Sequence, residues 1–337
     1  MSRLARRIEI MKQTRTEGFF NPEQHVLEAA LRGRSARKIR AHLRRMDPVV
    51  LTTPRWSKPQ VFLEDLALDL AVGEPGVGCR TVSFRPLKGR PRTEAWFFVL
   101  QVLAQLSETR RDALRVPTVA SSKGFRTAAR SLLERAQFQP GVGQVALLAH
   151  GAEYLPVDVI EDLAEVWARF AGCYVGERRA TMLMAGTVDA PQMKIDDAPK
   201  VVLADYGEAE AAAALVGQAG PSGRQELERA ARFSGGIPAV VEALGSGARA
   251  SGGLPDARKD LIRCMGQLAD EIRGAVHIVS SDSALADRME QLLRGEPLVE
   301  IPTLDRTLML AGLLKTVRLP GEDRVLLRGP AIGAVLA

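Results

Sequence analysis

Between residues 47 and 200, short apolar runs rich in β-branched residues alternate with stretches of helical periodicity. The runs are VVLTT (49–53), RTVSFR (80–85), QVALLAH (144–150) and RATMLMAGTV (179–188). Between them lie KPQVFLEDLALDLAV (58–72), PRTEAWFFVLQVLAQLS (91–107), FRTAARSLLERAQ (125–137) and VDVIEDLAEVWARFAG (157–172), which repeat apolar residues with helical spacing. Strands that read as continuous apolar runs are buried on both faces. Strand-helix alternation therefore predicts a mostly parallel sheet covered by helices on each side.

The pattern changes after residue 200. Residues 201–220 read as a short strand or extended piece and then a helix, and 224–245 as two helices joined by SGGIP. GSGARASGGLPDA (245–257) is rich in Gly and Ser and reads as a linker. Helices follow near 257–273 and 283–294. Residues 303–337 scan as a helix, Gly312, a strand, a PGED turn, a strand and a short helix, an order expected of a winged-helix module.

Composition bounds the function. At 337 residues the chain is long enough for roughly two domains with cores of their own. Aromatic residues are 5%, few for stacking on single-stranded nucleic acid. Cys79, Cys173 and Cys264 form no CxxC pair, which argues against a disulfide framework or a zinc site and suits a reducing cytoplasm. No apolar run is long enough to span a membrane. The basic N-terminus lacks the apolar core of a signal peptide. GxSxG, HExxH and CxxC are absent, so no hydrolase or metalloenzyme constellation is expected.

Charge is uneven. Residues 1–46 hold twelve Lys and Arg against four acidic residues, +8 net, while the whole chain is +6. GRSARKIRAHLRRM (33–46) reads as a helix with apolar Ala36, Ile39 and Leu43. Its neighbourhood carries Arg32, Arg34, Arg37, Lys38, Arg40, Arg44 and Arg45, a candidate surface for nucleic acid or an acidic partner and equally a solvated helix face.

The stretch VVLTTPRWSKPQVFLEDLA (49–67) has the outline of a phosphate-binding loop: strand, short turn, lysine, helix. Taken with its surroundings, the chain from about residue 31 onward resembles the bacterial AAA+ ATPases of the STAND type, the signal-transducing P-loop NTPases. LRGRSARKI falls where that group frames the adenine, QVALLAHGAEYL at its Walker B strand, TMLMAGTVD at its sensor strand, and FSGGIPAVVEAL at its GGxP helix start. LAGLLKTVRLPGEDRVLLRGPAIGAVL resembles its winged-helix ending. The resemblance implies a basic N-terminal segment and helix (1–46), a P-loop NTPase-like αβα core (47–200), a helical lid (201–250) and a winged-helix-like domain (251–337).

The departures from the family pattern bear on function. A working P-loop wraps phosphate in backbone N–H groups along a path that glycines permit, its lysine reaches the phosphates, and its Ser or Thr binds magnesium. Here Thr52 and Ser57 stand for the glycines, Lys58 keeps the lysine, Pro59 replaces the magnesium ligand, and Trp56 adds bulk. The Walker B acids become His150 and Gly151. Glu153 follows, and Thr187 stands for the sensor residue. GEPGVGCRT (73–81) looks more like a Walker A, but Cys79 replaces the lysine and a strand is expected after it. Arg178 and Arg179 hold the place of a trans-acting arginine finger in some relatives. Gly235, Gly236 and Pro238 are expected to form a structural helix start.

The reading is a nucleotide site in remnant. No catalytic residue, metal or cofactor is expected, with ATP and Mg2+ only if the remnant still binds. The expected role is a cytoplasmic regulatory or scaffolding subunit with protein partners and homo-oligomer formation open to it. The alternatives are a nucleic-acid-binding protein, with DNA contacted by the basic segment and winged helix, and a slow ATPase using Lys58.

Overall fold

The computed structural model describes residues 33–45, 47–73, 77–107, 116–137, 144–172, 180–187, 198–216, 218–219, 222–295, 297–319 and 322–336. They form two compact units. One holds 33–53 and 59–203, and the other holds 54–58 and 204–337. The five residues of the candidate phosphate turn thus belong with the C-terminal unit.

The first unit contains α1 (Gly33–Arg44), β1 (Val49–Thr52), α2 (Pro59–Gly73), β2 (Val77–Ser83), α3 (Arg92–Ser107), α4 (Ser122–Gln137), β3 (Gln144–His150), α5 (Val157–Gly172), β4 (Ala180–Gly186) and β5 (Lys200–Val202). Its five strands lie in the order β2-β3-β4-β1-β5, and every pairing is parallel. Side chains alternate strictly between two apolar layers, as the period of a strand requires. Val50, Val145, Leu147, Ala149, Met182 and Met184 join one layer with Trp96, Leu100, Phe125, Leu163 and Trp167 of α3, α4 and α5. Val49, Leu51, Leu148, Leu183 and Ala185 join the other with Phe62, Leu63 and Leu66 of α2. Ala36, Ile39 and Leu43 of α1 are buried in that second layer, the stripe expected from their spacing.

The second unit contains α6 (Glu208–Val216), α7 (Arg224–Ser234), α8 (Pro238–Ser251), α9 (Arg258–Met265), α10 (Gln267–Ser280), α11 (Ser283–Leu293), β6 (Leu298–Val299), α12 (Pro302–Leu310), β7 (Leu314–Leu319), β8 (Glu322–Leu327) and α13 (Pro330–Leu336). β7 and β8 form the expected hairpin, extended by the two-residue β6 into an antiparallel sheet of order β6-β8-β7. The sequence reading did not include β6. One helix was expected over 257–273. The chain instead breaks at Gly266 (φ 52°) between α9 and α10.

The linker expected at 245–257 is corrected. α8 runs through Ser251, and its glycines are packing residues. A Cβ on Gly245 would lie 2.5 Å from the Gln218 Cβ, and one on Gly247 would lie 2.6 Å from the Cys264 carbonyl oxygen. Glycine admits a close side chain at the first position and a neighbouring backbone at the second, and a larger residue would push either away. Only Gly252 and Gly253, past the helix end, have the positive φ of a turn.

Candidate functional site

Parallel α/β sheets place ligands beyond the carboxyl ends of their strands. In the first unit the register brings Ser83, His150 and Ala185 side by side there, with Thr52 beside Gly186. One candidate from the sequence, Thr187, meets Glu153 at this edge: the Thr187 N–H donates to Glu153 Oε2 at 3.3 Å. Thr53, which sequence reasoning passed over, is buried. Both its N–H and its hydroxyl donate to the Gly186 carbonyl, at 2.7 and 2.8 Å. Thr52 itself is the last residue of β1, and its carbonyl accepts from the Leu203 N–H at 2.8 Å.

His150 closes β3. Its carbonyl accepts from the Phe84 N–H at 2.9 Å, and its imidazole has no hydrogen-bond partner among the described residues. Burial pushes its pKa below the ordinary 6.5, because a desolvated ring disfavours the cation. The sign for stability follows. The unfolded chain takes up this proton below pH 6.5 more readily than the folded one. The contribution is therefore fully present above 6.5 and is lost as pH falls from 6.5 toward the lowered folded value. His150→Gln is expected to flatten that part of the profile, measured by urea unfolding at pH 7.5 and 5.5. Equal pH dependence in both proteins would refute it.

The turn itself lies wholly within the second unit. Trp56 and Lys58 have φ of 68° and 49°, the only non-glycine positive values among the described residues. Left-handed backbone costs about 1–2 kcal/mol at each such residue. Thr52 and Ser57 stand in the glycine places of the motif, so the residues needing glycine-like freedom are not the ones the motif indicates. Two further contacts hold the path. The Ala239 N–H donates to the Trp56 carbonyl at 3.1 Å. Gly312 lies against the turn so closely that a Cβ there would be 2.7 Å from the Arg55 Cβ and 3.1 Å from the Trp56 ring. Trp56 packs on the core of the second unit, with the Arg55 guanidinium 5.2 Å from its ring centroid.

Lys58 and Ser57 of the turn are engaged from within the same unit, whereas the buried Trp56 Nε1 has no hydrogen-bond partner among the described residues. The Lys58 ammonium pairs with Glu242 of α8. The Arg328 guanidinium, 1% exposed, donates to the Arg55 carbonyl and to Ser57 Oγ (3.1 Å) and forms a two-pronged pair with Asp205, at 2.9 and 2.6 Å. Pro59 opens α2 with neither hydroxyl nor N–H to offer.

SGGIP is the start of α8, as expected. Gly235 and Gly236 have φ of 62° and 77°, and Pro238 occupies the first turn. The Gly236 N–H donates to Ser234 Oγ at 3.0 Å, and its carbonyl accepts from the Tyr206 N–H at 2.9 Å. Gly235 backs onto Gly329, so that a Cβ on Gly235 would fall 2.5 Å from the Gly329 Cα.

The glycine-rich GEPGVGCRT segment leads from α2 into β2, and Cys79 sits on that strand. Burial pushes its thiol pKa up to about 12, which disfavours the reactive thiolate. No cluster of His, Cys, Asp or Glu among the described residues could hold a metal ion, and no described helix is long and apolar enough to cross a membrane. On the basic helix, Arg37, Lys38, Arg44 and Arg45 are exposed. Arg45 pairs with Asp47 at 3.2 Å. Arg40 pairs at 2.9 Å with the buried Asp69 of α2. Arg32, Arg178 and Arg179 lie outside the described residues, as does the side chain of Arg34.

No protein-family model matches this chain, and neither does any curated protein. Solved structures do. A Walker-type ATPase of Pyrococcus abyssi superposes with a TM-score of 0.62 at 15% identity, over 90% of this chain and 95% of that one. The chain has a P-loop NTPase-like α/β fold. Weaker likenesses include the ADP form of the ORC2 protein of Aeropyrum pernix (TM-score 0.48, 14% identity, 90% of this chain and 92% of that one). Another is a STAND protein with a tetratricopeptide repeat sensor from Pyrococcus horikoshii (TM-score 0.42, 10% identity, 89% of this chain and 41% of that one).

Proposed function

We propose that this chain is a catalytically degenerate member of the AAA+/STAND-like group, acting as a regulatory or scaffolding subunit of a bacterial multi-protein assembly in the cytoplasm. In this reading residues 201–250 act as a lid, and residues 251–337 form a winged-helix-like domain that serves packing and partner binding.

The observation that carries the proposal is the pairing of Lys58 with Glu242. A P-loop lysine works by presenting its ammonium to the β- and γ-phosphates. Here that ammonium has a carboxylate partner, and the magnesium-holding positions are Pro59 and His150. A magnesium nucleotide needs anion-binding donors and an oxygen ligand for the metal, and this set of residues does not fit it. The pair is half-exposed on both sides, so it contributes little to stability.

Purified protein is expected to show no ATP turnover above background, measured by phosphate release with and without magnesium. Turnover in a clean preparation that disappears in Lys58→Ala would overturn the proposal and make the chain a slow ATPase.

A further inference from the structure

We infer that Arg328 is the built-in occupant of the 54–58 turn, and that the turn is a socket for a guanidinium rather than for a phosphate. This deepens the preceding reading, which rests on Lys58, by assigning what the remnant site holds.

The argument is one of polarity. A phosphate loop aims backbone N–H donors inward, because its ligand offers only acceptors. At this turn the groups directed at Arg328 are acceptors: the Arg55 carbonyl and Ser57 Oγ. The Trp56 carbonyl also accepts, from the Ala239 N–H. The Ser57 N–H points back to the Pro54 carbonyl at 3.1 Å, so it closes the turn instead of facing a ligand. A planar guanidinium has five N–H donors in a fixed fork and no acceptor, which matches this arrangement.

Burial makes the contact consequential. Arg328 is 1% exposed and Ser57 is 1% exposed, while the Asp205 side chain is 15% exposed. A buried cation is tolerated only when paired and hydrogen-bonded, and Asp205 supplies the compensating charge through both its oxygens. The neighbouring backbone is fixed too. The Arg328 N–H donates to the Leu313 carbonyl at 2.9 Å, and Gly329 lies against Gly235. Arg328 thus balances the left-handed backbone at Trp56 and Lys58, which the turn's own sequence does not favour.

The test reads two amides by hydrogen exchange, Ser57 and Ala239, since both bonds exist only while the turn keeps its path. Arg328→Gln should speed their exchange by about 200-fold or more, the loss expected when one partner of a buried pair is removed, while β3 amides in the first unit stay protected. Ser57→Ala removes one acceptor and leaves the ion pair intact. It should speed the same amides about fivefold, as loss of one buried hydrogen bond implies, and it keeps the test decisive if Arg328→Gln unfolds the whole unit. Unchanged exchange at Ser57 and Ala239 in a folded Arg328→Gln, or at Ala239 in Ser57→Ala, overturns the inference. ATP turnover tests the preceding proposal through a separate readout, so either can fail alone.

Discussion

Gly236→Val is expected to destabilise the protein by about 4 kcal/mol or more, in the range reserved for a few severe mechanisms. Two of them coincide at this position. Its φ of 77° is one that β-branched residues rarely adopt. A Cβ would also lie 1.9 Å from the Tyr206 carbonyl oxygen, a backbone atom that cannot rotate away. Relief requires the Tyr206 backbone to move, which breaks the Tyr206 N–H bond to the Gly236 carbonyl. Thermal unfolding should show a fall of more than about 10 °C. Gly252→Ala separates the two causes. Its φ is 84°, but nothing lies within 4 Å of the added Cβ, so only the conformational cost of about 1 kcal/mol should appear. If Gly236→Val melted like the parent but lost partner binding, SGGIP would be a contact surface and not a structural helix start.

The sequence was most legible where one local rule fixed the outcome. VVLTT and QVALLAH read as buried strands because both faces of the sheet are covered, and the two apolar layers divide their side chains alternately. SGGIP was legible because glycine and proline have few uses immediately before a helix. The misreading at 245–257 came from a residue type with two meanings. Glycine marks a flexible linker in one setting and a close helix contact in another, and only the packed neighbours Gln218 and Cys264 distinguish them. The turn was half legible. Its loss of glycines was visible, but its occupant was not. Arg328 lies 123 positions from Asp205 and 271 from Ser57, and no spacing rule spans that distance. The one available signal was an arginine in the apolar run RVLLRGPAIGAVL, a place where a cation needs a buried partner. The partner of Arg40 was hidden for the same reason, since Asp69 comes from α2.

A second buried pair, unconnected with the turn, offers the other large effect. Asp305 of α12 is 0% exposed and Arg288 of α11 is 5% exposed. The guanidinium donates to both carboxylate oxygens at 2.8 Å and to the Val299 carbonyl at 2.7 Å, while the Ile301 N–H donates to Asp305 at 2.6 Å. One carboxylate thus compensates a cation and also satisfies the backbone at the start of α12. Asp305→Ala should cost about 3–5 kcal/mol, because it leaves a guanidinium buried without its counter-charge. Arg288→Met combined with Asp305→Leu should cost much less than that, since removing both charges ends the desolvation penalty and leaves the Ile301 N–H as the main orphan. Urea unfolding of Arg288→Met, of Asp305→Leu and of the double variant closes the cycle. A double variant as unstable as the sum of the singles would mean that the pair is not coupled, and that α11 and α12 are held by their apolar contacts alone.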